Sequence, residues 1–293
     1  MLRHSLMLFV LAVVWSGSFP AIKVGVETIP PLTLTAGRIL IAALVLTAFT
    51  FIRGDGLPRV RRVWVYCLLI GILGNGLPFT LINWGEEYVD SGQAAILMAV
   101  MPLVTIVLAH FFTKGDRLSP LKVMGVVIGF TGVVVLVGPE AVKGLGGDVW
   151  RQLAISGGAV CYSLTVILTR NMPPSPLIAR SAGVVIMGAL VMTPAALIVD
   201  RPWALEPNTD GLLAMVFLGL FPTALATIVL FHLVQLRGAS FVAYSNYLIP
   251  VFAVMWGAAF LDEALSPQTG TALLVILAGL VLTQVRKRPS SGS

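Results

Sequence analysis

The chain has 293 residues, 57% hydrophobic and only 11% charged, against roughly 25% charged in an ordinary soluble protein. A soluble domain of this length cannot bury so much apolar side chain, and the same composition excludes a disordered chain and a secreted disulfide scaffold. What remains is an integral membrane protein with many spans, whose first partner is the lipid bilayer.

The net charge of +6 does not point to nucleic acid, because the cations sit in short links between apolar runs rather than on one face. Cys67 and Cys161 lie inside apolar runs, and no CxxC or Cys/His cluster offers a metal site. Gly71-Ile-Leu-Gly74-Asn-Gly76 falls within an apolar run, not between a strand and a helix, so it is no nucleotide fingerprint. No Walker loop is present, and neither a cofactor nor ATP drive is expected.

In chain order, apolar runs fall at 5–24, 30–52, 63–84, 91–113, 120–138, 152–171, 176–199, 211–236, 240–262 and 267–286. Each is long enough to cross about 30 Å of hydrocarbon as a helix. The first is read as a span and not as a cleaved signal peptide, since cleavage would break the count. Pro30–Pro31, Ser119–Pro120, Pro173–Pro174 and Ser266–Pro267 punctuate the ends. With the amino terminus in the cytoplasm, 14 of the 19 Lys and Arg residues fall inside, 4 outside, and Arg38 within a span. The positive-inside rule therefore predicts both termini in the cytoplasm.

The two halves repeat one another. Pro102, Asp116-Arg-Leu-Ser119-Pro120 and Gly132 are matched by Pro250, Glu263-Ala-Leu-Ser266-Pro267 and Gly279, 147–148 residues on, and Trp15-Ser16 by Tyr162-Ser163. The predicted units are 5–139 (spans 1–5) and 152–286 (spans 6–10), followed by a cytoplasmic tail at 287–293. Five is an odd number of spans, so the second unit must enter the membrane upside down. The expected fold is an all-α membrane protein, ten transmembrane helices in two inverted five-helix repeats. Such repeats let two bundles rock around a central site. Helix breakers recur as well: Gly74, Asn75 and Pro78 in span 3, Gly219 and Pro222 in span 8. A proline in lipid frees a carbonyl that needs another partner, which is tolerated beside a cavity or at a packed kink. Gly74, Pro78, Pro102, Pro222 and Pro250 are the candidate hinge positions.

Trp15-Ser-Gly-Ser-Phe-Pro-Ala-Ile-Lys23, Pro30–Pro31 and Gly37–Arg38 resemble the start of an EamA-domain protein of the drug/metabolite transporter superfamily. Leu261-Asp-Glu263-Ala-Leu-Ser-Pro267 resembles the end of the second repeat, so the resemblance covers about residues 5–286. It implies a carrier of the bacterial inner membrane, not an enzyme, with a cavity lined by spans 1, 3, 4, 6, 8 and 9. Many relatives export amino acids or related metabolites. Ser18 stands where many of them have Asn.

Arg38 is an ionisable group within a span, hence a functional candidate. By helical rise it lies roughly 12 Å from the outer end. It either receives a substrate carboxylate or ties the carbonyls of a broken helix. Lys23 ends span 1 and either snorkels to the surface or meets substrate. Polar and aromatic stripes add Trp15, Ser16 and Phe19 on span 1, Asn75, Phe79 and Asn83 on span 3, and Met98 and Met101 on span 4. Tyr162, Thr165 and Thr169 mark span 6, Thr223 and Thr227 span 8, and Tyr244, Asn246 and Tyr247 span 9. In lipid such stripes either glue helices together or line a wet cavity. The mixture suits a small zwitterion with a variable side chain, and the expected activity is alternating-access export of amino acids or related metabolites. Export of cationic or amphiphilic drugs is the alternative. Glu86 and Glu87 read as the outer end of span 3, leaving no carboxylate at mid-depth, so an uncoupled facilitator is expected. The GxxxG-type series Gly125, Gly129 and Gly132 serves packing within the chain or, failing that, a dimer face, which makes the protein a monomer or weak dimer.

Overall fold

The computed structural model describes residues 2–112, 119–137, 147–237, 239–242 and 244–284; the repeat residue Asp116 and the predicted tail lie outside these. Every element is helical, as apolar chain in hydrocarbon requires, because a helix satisfies its own amides and carbonyls. The first run is two helices, α1 (Leu2–Ser16) and α2 (Ser18–Val26), meeting at Gly17. α3 (Pro31–Ile52) opens on a proline, which costs nothing at a position whose amide lacks a helical partner. α4 (Arg61–Gly71) runs through a π-helical segment at Ile72–Gly76 into α5 (Leu77–Glu86). The fourth run divides at Ala99–Val100 into α6 (Ser91–Met98) and α7 (Met101–Phe112). α8 (Pro120–Val137), α9 (Gly147–Asn171) and α10 (Leu177–Val199) follow. α11 (Thr209–Leu218) passes through a second π-segment at Gly219–Leu225 into α12 (Ala226–Arg237). α13 (Ala239–Val242), α14 (Ser245–Phe260) and α15 (Pro267–Gln284) complete the order.

Among the described residues seven helical stretches are long and apolar enough to cross a bilayer: Arg3–Val26, Pro31–Ile52, Arg61–Glu86, Ser91–Phe112, Val149–Asn171, Leu177–Val199 and Thr209–Leu230. Pro120–Leu136, Ser245–Phe260 and Pro267–Thr283 are shorter apolar helices.

The two π-segments begin at Ile72 and Gly219, 147 residues apart, in the register of the sequence repeat. The prolines do not keep that register. Pro222 lies inside the second segment, whereas Pro78 sits in the first turn of α5, just past the first. Side chains also bond to carbonyls in and beside these segments. Thr80 Oγ1 donates to Gly76 O at 2.8 Å. Thr223 Oγ1 donates to Leu218 O at 2.7 Å, and Trp15 Nε1 reaches across from α1 to Pro222 O at 3.2 Å.

Each π-segment is crossed by a helix from the other half, α10 over the first and α3 over the second. Small residues permit the approach: a Cβ on Gly71 would stand 2.7 Å from Val184 O and 2.8 Å from Gly188 N. α8 and α15 pack backbone to backbone, since a Cβ on Gly125 would fall 2.6 Å from Gly279 O, and one on Gly132 2.6 Å from Ile276 Cγ1. The glycine series on α8 is thus covered within the chain.

Candidate functional site

A cavity of about 400 Å³ lies between the broken helices. Its wall includes Trp15 and Phe19 of the first run, Arg38 of α3, Asn75 of the first π-segment, Phe79 of α5, and Met98 and Met101 of the fourth run. Tyr162 of α9, Thr223 of the second π-segment and Asn246 of α14 complete the group singled out from sequence. Of the hinge candidates, Gly74, Pro102, Pro222 and Pro250 line the cavity, and Pro78 does not.

Arg38 supplies the cavity's positive charge and is 4% exposed. Its Nε donates to Thr223 Oγ1 at 2.8 Å, and its guanidinium carbon stands 3.8 Å from the Phe79 ring centre. The hydroxyl belongs to the π-segment and the ring to α5, so each half of the chain grips one side of the cation. Stacking on the ring compensates part of the charge's desolvation without consuming a donor. The edge of Tyr162 meets Phe79 at 6.4 Å between centres. No Asp or Glu is among the lining residues.

Six other sequence candidates are placed away from the cavity. Ser16 Oγ donates to Val13 O and accepts from Trp256 Nε1, both within 3.0 Å, tying α1 to α14. Asn83 Nδ2 donates to Pro31 O at 3.1 Å and Thr35 Oγ1 at 3.0 Å, fixing α5 to the start of α3. Thr165 returns its hydroxyl to Cys161 O at 3.0 Å. Tyr247 OH reaches Leu280 O at 3.2 Å, joining α14 to α15, and Tyr244 is exposed beside Phe241. Lys23 Nζ donates to Glu86 O at 2.8 Å and Val89 O at 3.0 Å. Thr227, on the span 8 stripe with Thr223, lines the cavity too; sequence reasoning did not single out Ser18, Ile22, Ile82, Ala95, Ala99, Leu230 and Ile249 as site residues, and all of them line it. Ser18 carried a helical-spacing signal with Trp15. The apolar residues carried none, since lipid-facing positions look the same.

Lys23 belongs to a group of polar ties at one end of the bundle. Glu263 caps α6 there, accepting from Ser91 N at 2.7 Å, Ser91 Oγ at 3.0 Å and Gly92 N at 3.0 Å. Arg151 pairs with Glu87, donates to Trp84 O at 2.5 Å and stacks on Trp84. Burial, with the Glu263 carboxylate adding to it and Lys23 opposing, holds the Asp90 carboxyl above its ordinary value. Glu86, expected at a water-facing helix end, is fully buried. Towards the other end α1 meets α12 through Leu8, Leu11 and Leu233, and the last turn of α7 exposes Phe111 and Phe112.

Both halves of this architecture have counterparts among known proteins. A profile of the EamA-like transporter family matches residues 2–138 and 149–285. The uncharacterized inner membrane transporter YedA of Escherichia coli (strain K12) is 30% identical over 285 residues, covering 96% of this chain and 90% of that one. A probable terminal-alkyne amino-acid exporter of Streptantibioticus cattleyicolor is 26% identical over 289 residues, covering 94% and 91%. A crystal structure at 22% identity superposes with a TM-score of 0.69 over 96% of this chain and 97% of its own, which is likeness of fold. Matched through both halves, and related to YedA over nearly its whole length, the chain belongs to the EamA-like transporter family.

Proposed function

We propose that the protein exports amino acids or related small metabolites by alternating access, as ten spans in two inverted five-helix repeats of 5–139 and 152–286 with both termini in the cytoplasm. The observation that carries this reading is the chemistry of the cavity. Its volume of about 400 Å³ suits a small molecule. One buried guanidinium gives Nε to Thr223 and leaves its Nη groups for a carboxylate. The amides of Asn75 and Asn246 and the hydroxyls of Ser18 and Thr227 offer further hydrogen bonds. Trp15, Phe19, Met98 and Ile249 give adaptable apolar contact for differing side chains.

The π-segments in register, and the reciprocal crossings by α3 and α10, support the inverted arrangement. The charge distribution along the sequence supports the orientation. The relative named as an amino-acid exporter supports the substrate class. A cationic drug would enter a cavity that already holds a cation and is lined by no carboxylate, so the cavity favours the amino-acid reading.

Reconstituted in liposomes, the protein should exchange labelled neutral amino acids with saturation and with stimulation by unlabelled amino acid on the far side. Exchange of organic cations, with amino acids neither moving nor competing, would overturn the reading. Flux that neither saturates nor shows that stimulation would make the protein a channel.

A further inference from the structure

Glu86 ends α5, is fully buried, and has no hydrogen-bond partner on either carboxyl oxygen among the described residues. A carboxylate ion in that position bears a large desolvation cost that no hydrogen bond offsets, although the charges of Lys23 and Arg38 lie near, whereas the neutral acid does not. Its neighbourhood makes this placement specific. Phe79, Ile82 and Glu86 follow one another on a single face of α5, and the first two line the cavity. On α2, Phe19 and Ile22 line the cavity and Lys23 comes next. Lys23 and Glu86 thus stand one turn beyond the cavity wall, at the end where the polar ties gather.

The charged groups around Glu86 are otherwise engaged. Lys23 on α2 gives its ammonium to the main-chain carbonyls of Glu86 and Val89, bypassing the carboxyl. Arg38 on α3 is turned to Thr223 and Phe79. Arg151 on α9 holds Glu87 and the Trp84 carbonyl. At the start of α6, Glu263 is committed to Ser91 and Gly92, and Asp90 adds another carboxyl rather than a cation.

We propose that Glu86 is a proton-binding site, occupied while this end of the bundle is shut and emptied when it opens, Lys23 then leaving the two carbonyls to pair with the carboxylate. The proposal rests on the alternating-access reading above. Opening releases one proton to the compartment on that side and closing recovers it from there. No proton crosses the membrane, so exchange remains downhill while the pH on the Lys23 side sets how readily that end opens.

Two measurements on the full-length reconstituted protein test this. Infrared spectra at neutral pH should contain the carbonyl stretch of a protonated carboxylic acid that Glu86→Gln removes. Amino-acid exchange limited by opening should quicken as the pH on the Lys23 side rises, by up to about tenfold per pH unit for a single proton. Glu86→Gln, a fixed neutral mimic, should be slow and indifferent to that pH, and Glu86→Asp should restore the dependence. Absence of the band in the wild type, an unchanged pH profile in Glu86→Gln, or accumulation driven by an imposed pH gradient would overturn the proposal. The band without any amino-acid exchange would leave the proton site standing and overturn the transport reading instead.

Discussion

The two broken helices share a geometry and differ in chemistry. Both loosen into a π-segment at the same place in the repeat, and both are crossed there by a helix of the opposite half. At the first crossing the contact is glycine on glycine, Gly71 against Gly188, with main-chain atoms at the meeting point. At the second, Gly219 meets Ile41 and the main-chain carbonyl of Arg38, whose guanidinium turns to Thr223. Proline does not set the break, since Pro222 is inside one segment and Pro78 beyond the other. The crossing helix and a threonine hydroxyl bonded to a nearby carbonyl are features the two breaks have in common. Only one crossing carries a charge, so the two sides of the cavity are unlike. On the proposed amino-acid reading, a substrate carboxylate would have one side to bind and the apolar remainder the other.

That asymmetry is most exposed to a change at Arg38. Arg38→Ala should fold and yet bind amino acids roughly tenfold to a hundredfold more weakly, the loss of a charge-assisted hydrogen bond worth about 1.5–3 kcal/mol. Competition by amino-acid amides should be unaffected, so comparing acids with amides as inhibitors of exchange isolates the effect. Equal losses for both would make the guanidinium a structural tie. The glycines come next. Gly71→Ala drives a Cβ onto the main chain of α10, which cannot step aside, and should cost about 1–3 kcal/mol of stability. Gly219→Ala presses on Ile41 Cβ at 2.7 Å and on the Arg38 carbonyl at 3.0 Å and should cost a comparable amount, as thermal unfolding in detergent would report. The smallest effect is expected at the hydroxyls. Thr223→Val removes Arg38's anchor, worth about 1 kcal/mol, and should weaken apparent affinity roughly fivefold. Thr80→Val, its counterpart beside the other π-segment, should leave affinity unchanged in the same assay.

The bundle's apolar segments were legible in the sequence because lipid leaves the backbone few choices, and an apolar run of sufficient length has to be a helix. Their interruptions at Gly17 and at Ala99–Val100 were not, since a helix in lipid continues or bends according to what packs against it. Within the site, polarity was an ambiguous sign. Asn75 and Asn83 lie on one predicted stripe, yet one lines the cavity while the other fastens α5 to α3. Tyr247 likewise spends its hydroxyl on α15. Ala95, Ala99 and Ile249 could not be found at all, because a small or apolar wall residue differs from a lipid-facing one only in its neighbours. Glu86 reads as a helix end open to water, yet α2, α6 and α9 pack around that turn and bury it.

Alternating access to the cavity is the claim on which the rest depends, and Asn246 on its wall is the place to test it. In a protein with Cys67→Ala and Cys161→Ala, Asn246→Cys should react with a membrane-impermeant maleimide added from either side of the membrane, and saturating amino acid should slow both reactions. Reaction from one side alone under every condition, or reaction that substrate leaves untouched, would contradict the account.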